Sequence, residues 1–224
     1  MSMVKKKTHI STKYHAESSD EFQSGSRKRV LKNVLGYTTL SDIEDAELLG
    51  YLSAEKKLIG EVTGIQRFTS EDVNRIHKYF LGHLYSWAGT YRLVNLTKGG
   101  FMFASAMAIP AMMKEFEKHV LKRYTPCQGK TLDKIAQKIA IVHAEFLLIH
   151  PYREGNGRTA RLLAALMAYQ ARLPGIDFSF IGSRGKEFNR YVTAIQRRLN
   201  RDYLLMQEIV LIALKCALRR AKHA

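Results

Sequence analysis

One stretch of the chain decides its fold, the twelve residues HPYREGNGRTAR at positions 150–161. It combines a histidine, a glutamate, two glycines around an asparagine, and arginines. Apolar residues recur at helical spacing on both sides of it, upstream over 135–149 and downstream over 162–167. The pattern therefore predicts a loop that joins two buried helices.

The start of the downstream helix suits the binding of a nucleotide phosphate. Glycines let the backbone approach an anion closely, and the first N–H groups of a helix point outward at its positive end. Arg158 and Arg161 lie three positions apart on one helix face, where both guanidinium groups can reach a single polyphosphate. We therefore expect the Gly155-Asn156-Gly157 turn and these two arginines to hold phosphate.

Two further side chains complete the predicted site. Glu154 directly precedes the turn, and a carboxylate beside phosphates suits Mg²⁺, which proteins often hold with one or two carboxylates plus phosphate oxygens. His150 ends the upstream helix, where a neutral imidazole can remove a proton from an incoming hydroxyl. Each feature alone has a structural explanation, as a helix cap, a surface ion pair or an ordinary turn. Their ordered coincidence within one short stretch favours a functional site.

The composition is that of one ordinary domain with a strongly basic charge. The 224 residues are 46% hydrophobic, enough for a sizeable core, and carry a formal net charge of +16. This charge suggests attraction to polyanions, or only a solvated basic surface. The basic clusters lie at 5–7, 27–32 and 219–222 without an interleaved aromatic stripe, so direct binding of nucleic acid is not expected.

Cysteine usage and hydropathy exclude several other classes of protein. Cys127 and Cys216 are far apart and indicate neither a disulfide framework nor a zinc site. No signal-peptide pattern follows the basic N-terminus, and the most hydrophobic run, 203–214, is shorter than the roughly 20 residues of a spanning helix. We therefore predict a cytoplasmic protein with reduced thiols and no membrane segment.

The apolar periodicity predicts an all-α fold, a mainly helical bundle with one small β-hairpin around Gly99-Gly100. We divide the chain into a polar basic N-terminal extension, an N-terminal helical segment, a central domain, and a C-terminal helix with a basic tail, at 1–34, 35–68, 69–206 and 207–224. The extension is expected to be loosely ordered, either as a tail or as a segment that becomes ordered on a partner. Helices are predicted at 42–60, after a cap at Thr69 or Ser70, at 109–123, up to 149, from 157, at 186–199 and at 202–219.

The stretch 150–161 resembles the signature of the Fic family, His-x-Phe-x-(Asp/Glu)-Gly-Asn-Gly-Arg-x-x-Arg, with Tyr152 in place of the usual phenylalanine. Further resemblance covers Leu84-Tyr85-x-Trp87-Ala88-Gly89-x-x-Arg92, the flap-like stretch 95–104, and Tyr191-x-x-Ala194 followed by Asp202. The resemblance implies a helical Fic fold and transfer of AMP from ATP to a hydroxyl side chain of a target protein.

The resemblance also implies a role for each matching residue. His150 would be the base for the target hydroxyl, and Glu154 would bind Mg²⁺. Tyr191 would pack near the adenine, although a core tyrosine on a helix would look the same. The segment Lys98-Gly99-Gly100-Phe101 resembles the flap that clamps a target by backbone pairing, and a plain surface turn is the less favoured alternative. Contacts with ATP are expected from Arg153, Glu154, Gly155, Asn156, Gly157, Arg158, Arg161, Tyr191, Lys98 and Gly99.

The resemblance also bears on how the activity would be inhibited. Family members are often silenced by a glutamate in a (Ser/Thr)-x-x-x-Glu-(Gly/Asn) helix that engages the second motif arginine, here Arg161. The sequence contains no such motif, and the nearest string, 183–187, is followed by Phe188. We therefore expect a bacterial toxin restrained by a separate small antitoxin protein. A secreted effector that modifies GTPases inside a host cell and a nucleotide-binding regulator without transfer activity are the alternatives.

Overall fold

The computed structural model describes residues 21–98 and 101–223 of the chain. Helices dominate it, and the only sheet among these residues is a two-stranded antiparallel hairpin. The predicted helical fold with one small hairpin is confirmed. The helices and strands are α1 Leu40–Glu61, α2 Ser70–Leu81, β1 Thr97–Lys98, β2 Phe101–Met102, α3 Ile109–Phe116, α4 Lys122–Tyr124, α5 Leu132–Ile149, α6 Asn156–Gln170, α7 Lys186–Arg197 and α8 Leu204–Ala221.

Helix α5 forms the centre of the bundle. Every residue from Val142 to Ile149 is buried, because α5 is covered by α6, α7 and α8. A helix that is apolar all round can only be stable when it is enclosed in this way. The loop after α5 therefore starts from one of the most firmly packed parts of the molecule.

Helix α2 begins at a complete capping box. The Thr69 hydroxyl accepts from the N–H of Asp72, whose carboxylate accepts in turn from the N–H of Thr69. This reciprocal pairing satisfies two donors that would otherwise lack partners at the helix start. The buried face of α2 packs against α1 and α6, so all three helices meet below the loop at 150–156.

The hairpin has its strands where the sequence predicts them. Thr97 pairs with Met102 and Lys98 with Phe101, and the turn residues Gly99 and Gly100 lie outside the described residues. The N–H of Phe103 donates to the carbonyl of Leu96 at 3.1 Å and extends the pairing by one step. The hairpin therefore projects from a short closed base between α2 and α3.

Two expectations differ from the structure. The predicted helix 109–123 is divided by a π-helical segment at Glu117–Leu121, whose Glu117 carboxylate accepts from the N–H and hydroxyl of Ser70.

The expected loose order of the extension is wrong for residues 21–34, since Ser26 and Val30 are buried and a bridge joins Phe22 to Leu31. Local polarity predicted loose order there, but the segment is held by distant parts of the chain, since Glu21 pairs with Arg153 and the N–H of Val34 donates to the carbonyl of Leu84. Residues 1–20 lie outside the described part.

None of the described helices has the length and apolar character needed to cross a membrane.

Candidate active site

The predicted site is a tight loop between α5 and α6. Its two ends adopt left-handed backbone conformations, with φ of 55° at His150 and 81° at Gly155. The side chain of Asn156 closes the loop, because its Oδ1 accepts from the N–H of Tyr152 at 2.9 Å and its Nδ2 donates to the carbonyl of Tyr152 at 2.7 Å. A non-glycine residue in the left-handed region is strained, and such strain concentrates at functional sites.

His150 is buried, with 6% of its surface exposed. Its Nδ1 lies 3.1 Å from the carbonyl of Leu147, and because a carbonyl only accepts, the proton belongs on Nδ1 and the lone pair on Nε2. The ring of Phe103, from the segment after β2, stacks on the imidazole with ring centres 3.8 Å apart. Burial lowers the pKa of His150 to about 3, so the ring is neutral at pH 7. A neutral imidazole with a defined tautomer is what a general base requires.

Arg92 supports the loop from the side of the hairpin. Its guanidinium donates to the carbonyl of His150 at 2.8 Å, and its own backbone N–H donates to the carbonyl of Pro151 at 2.9 Å. Arg92 belongs to the stretch 84–92 that resembles the family, but the resemblance gave it no role.

His77 supports the same loop from below, and sequence reasoning missed it. The N–H of Gly89 donates to Nδ1 of His77 at 2.8 Å, so Nε2 carries the proton and donates to the carbonyl of Glu154 at 3.0 Å. The ring stacks on Tyr152 with centres 3.8 Å apart, and burial lowers its pKa to about 4. The available signal was a histidine on the apolar face of α2, beside Ile76.

Arg158 is held by a carboxylate from a distant helix. Its Nη1 lies 2.6 Å from Oε2 of Glu47, a residue of α1 with only 3% of its surface exposed. The other oxygen of Glu47 accepts from the Tyr85 hydroxyl at 3.2 Å, and Oε1 of Glu154 lies 3.6 Å from Nη2 of Arg158. Arg158 is only partly buried, with 26% of its side chain exposed, but a guanidinium withdrawn this far from water needs such partners because desolvating a charge is costly. Glu47 is a second site residue that sequence reasoning missed.

Arg158 and Arg161 line one cavity, as the helical spacing predicts. The cavity has a volume of about 470 Å³ and opens between α1, α6 and the segment 176–179. Behind the cavity, the buried hydroxyl of Tyr191 lies 2.6 Å from Nε2 of His143. The structure thus joins Tyr191 to α5, and its contact with adenine stays a prediction.

Arg153 lies apart from the other two motif arginines. Its Nε is 2.8 Å from Oε2 of Glu21, and it lines a different cavity of about 460 Å³ together with Trp87 and Tyr91. Its contact with ATP therefore stays a prediction. At the hairpin, the Lys98 ammonium lies 5.8 Å from the ring centre of Phe188 on α7, and Phe101 packs edge-on against Phe103.

Glu154 is the residue that fits a magnesium ion. Its Oε1 accepts from the N–H of Gly155 at 2.9 Å, so the carboxylate stays beside the start of α6. Among the residues that the structure describes, no group of three or more His, Cys, Asp or Glu side chains could hold a metal ion. A single carboxylate suits a cation that arrives with its phosphate ligands rather than one bound by protein alone.

Comparison with known proteins gives one family and a consistent set of relatives. Residues 67–168 match the model of the Fic/DOC family. The chain is 28% identical over 156 residues to the protein adenylyltransferase VbhT of Bartonella schoenbuchensis, an alignment that covers 69% of this chain and 32% of VbhT. It is 30% identical over 144 residues to the protein adenylyltransferase Fic of Nematostella vectensis, covering 62% of this chain and 32% of that protein. The chain thus spans about a third of the length of these curated relatives.

Solved structures with the same fold include domains of bacterial effectors. The N-terminal Fic domain of an effector protein from Bartonella sp. AR 15-3 gives a TM-score of 0.68 at 19% identity, covering 88% of this chain and 92% of that one. BepC of Bartonella tribocorum, a VirB-translocated effector protein solved with bound AMPPNP, gives a TM-score of 0.66 at 21% identity, covering 82% and 91%. At these identities the likeness establishes the fold.

Proposed function

Because the chain carries a domain of the Fic/DOC family, we propose that it is a protein adenylyltransferase, which transfers AMP from ATP to a Tyr, Ser or Thr hydroxyl of a target protein. The observation that carries this proposal is the neutral, buried His150 at one end of the loop, with Arg158 and Arg161 facing one cavity at the other. A base and a polyphosphate site within one rigid loop are what such a transfer needs. The relatives named as protein adenylyltransferases support the same reaction.

In the proposed reaction His150 acts through Nε2. This atom accepts the proton of the target hydroxyl while the hydroxyl oxygen attacks the α-phosphorus of ATP. The bond between the α-phosphorus and the oxygen that bridges to the β-phosphate breaks, pyrophosphate leaves, and AMP becomes esterified to the target. The pKa of His150 is low without nucleotide, and the negative charge of bound ATP would raise it and so strengthen the base.

The remaining motif residues would hold the nucleotide. The N–H groups of Asn156 and Gly157 at the start of α6 would bind a phosphate where the helix dipole favours an anion, and Gly155 would let the backbone approach it closely. Arg158 and Arg161 would bind the outer phosphates through their guanidinium forks. Glu154 would hold Mg²⁺, which when bound neutralises phosphate charge. The protein thus contributes mainly positioning and electrostatic stabilisation.

We further propose that a separate small antitoxin restrains the enzyme in the bacterial cytoplasm. The cavity at Arg161 is bordered by the exposed side chains of Glu44 and Leu48 on α1. A partner helix that presents a carboxylate would find a cation at the base of this cavity and an apolar contact at its rim. The structural neighbours that are translocated effector proteins favour the alternative, delivery into a host cell. Co-purification of a small protein from the native host separates the two proposals.

Labelled ATP tests the proposed reaction. The protein is incubated with Mg²⁺ and ATP labelled at the α-phosphate in bacterial lysate, and labelled bands are identified by mass spectrometry. We expect transfer by the wild type and a loss of about 10²–10⁴-fold in His150→Ala, since a general base contributes that factor. His119→Ala is the matched control, because His119 is an exposed histidine paired with Glu115.

Two outcomes would contradict the proposal. Transfer of label from the γ-phosphate would indicate a kinase. ATP binding without transfer to any protein would indicate a regulator that has lost turnover.

A further inference from the structure

A single buried guanidinium joins three separate backbone segments beside the catalytic loop. Arg92 has 4% of its surface exposed. Its Nε donates to the carbonyl of His150 at 2.8 Å, its Nη1 to Val94 at 2.7 Å, and its Nη2 to Ala104 at 2.6 Å. Each nitrogen of the guanidinium is therefore committed to a different carbonyl.

The three carbonyl groups lie at the two sides of the hairpin base and at the end of α5. Val94 precedes β1 and Ala104 follows β2, so they mark the two sides of the base of the hairpin. His150 is the end of α5 and the residue in the left-handed conformation. Arg92 thus connects both sides of the hairpin base directly to the backbone of the proposed base.

A second contact connects the same two parts. Phe103 is paired with Leu96 at the hairpin base, and its ring lies flat on the imidazole of His150 at 3.8 Å. The orientation of the imidazole is therefore coupled to the position of the hairpin. A shift of the hairpin base would move the Phe103 ring, against which the imidazole of His150 packs.

We propose that Arg92 is a positioning residue that sets the placement of the hairpin relative to His150. The inference rests on the proposed function, in which the hairpin holds the target segment and His150 takes its proton. Transfer then requires the hydroxyl of a hairpin-bound segment to arrive beside Nε2, and errors of about an ångström lower such rates steeply. Arg92 sets this relative position of the hairpin and His150 without contacting ATP or the target.

Arginine is suited to this role and lysine is not. The planar guanidinium presents donors in fixed directions, so three carbonyls can be bound only in one relative arrangement. A lysine ammonium has a single nitrogen at the end of a flexible chain and cannot span the same three acceptors. Burial lowers the pKa of Arg92 to about 10, which leaves the group charged at neutral pH.

The test compares Arg92→Lys and Arg92→Gln with the wild type by amide hydrogen exchange and by kinetics. We expect exchange at Phe103 and in the hairpin strands to become about tenfold faster or more, with α5 unchanged, because two or three hydrogen bonds at the hairpin base are lost. We expect kcat for AMP transfer to fall about tenfold or more while KM for ATP stays within about twofold. Arg198→Lys is the matched control, since Arg198 binds Glu145 away from the hairpin.

Unchanged exchange at the hairpin in both variants would overturn the inference. Faster exchange throughout α5 as well would also overturn it, because Arg92 would then support the fold in general. Faster exchange confined to the hairpin, with an unchanged kcat, would show that the placement of the hairpin does not affect transfer. This outcome would likewise refute the inference. If the wild type itself transfers no AMP while loosening stays confined to the hairpin, the proposed function fails and the positioning of the hairpin by Arg92 stands.

Discussion

The loop at 150–161 has two ends that are stabilised in opposite ways. At the histidine end, His150–Tyr152, the backbone carbonyls of the loop accept from Arg92, and neighbouring rings are stacked and neutral. At the arginine end, Arg158–Arg161, a buried carboxylate pairs with a guanidinium beside an open cavity. The difference shows how one loop keeps a base uncharged at one end and cations charged at the other. Acidification should damage the first end, and removal of carboxylates should damage the second.

Acid should produce the largest loss of stability. Burial lowers the pKa values of His77, His143 and His150 to about 4, 3 and 3, below the ordinary value near 6.5. Between pH 6.5 and these lowered pKa values, the unfolded chain binds more protons than the folded one. The free energy of unfolding is therefore retained above pH 6.5 and falls as the pH decreases. Each histidine contributes up to about 1.4 kcal/mol per pH unit, which gives a loss on the order of 4–6 kcal/mol between pH 7 and pH 5.

Urea unfolding at a series of pH values measures this loss. In His150→Gln one of the three titrating groups is removed, so the slope of stability against pH should decrease by about a third. An unchanged slope would mean that His150 titrates normally in the folded protein.

Removing the carboxylate of Glu47 should be the next largest effect. Glu47→Ala leaves Arg158, whose side chain is 26% exposed, without its main partner, and breaking a fully buried ion pair costs about 3–5 kcal/mol. We expect the lower value of about 3 kcal/mol, because Arg158 keeps Glu154 nearby and is partly open to the cavity. Urea unfolding at pH 7 provides the measurement, with Asp45→Ala, an exposed change on the same helix, as the control. Equal stability of the two variants would contradict the assignment.

The two glycines of the loop provide a matched pair. A Cβ at Gly155 would lie 2.7 Å from Cδ1 of Leu81 at a φ of 81°, so Gly155→Ala should cost about 2 kcal/mol. A Cβ at Gly157 meets nothing within 4 Å, so Gly157→Ala should fold as well as the wild type. ATP affinity should nevertheless fall in Gly157→Ala, because the new methyl group would occupy the approach of the phosphates. Calorimetric unfolding and ATP titration together separate the two effects, and normal ATP binding by Gly157→Ala would count against the phosphate cradle.

The smallest effect should come from Tyr85→Phe. The substitution removes the hydroxyl that donates to Glu47 but leaves the Glu47–Arg158 pair in place. We expect a loss of about 1 kcal/mol, typical of one hydrogen bond to a charged group that keeps another partner. A loss as large as that of Glu47→Ala would show that Tyr85, rather than Arg158, is the main partner of the carboxylate.

The sequence predicted well the parts of the site that are local in the chain. The end of α5, the start of α6, the cap at Thr69 and the hairpin strands each depend on spacing, caps or turn residues within a few positions. Glu47 and His77 escaped because their partners, Arg158 and Glu154, are far away in sequence and close only in the fold. The sequence around each of these two residues looks like that of an ordinary helix. The same reason explains residues 21–34, which read as a polar tail but are fixed by long-range contacts.

The pairing of motif arginines with distant carboxylates also sets a limit on how far the protein can be shortened. The family match begins at residue 67, whereas the partners of Arg153 and Arg158 are Glu21 and Glu47. A fragment trimmed to the matched residues would keep the whole signature and yet lose the carboxylates that lie nearest to Arg153 and Arg158. The smallest unit that can retain the site therefore begins upstream of Glu21, outside the boundaries by which the domain is identified.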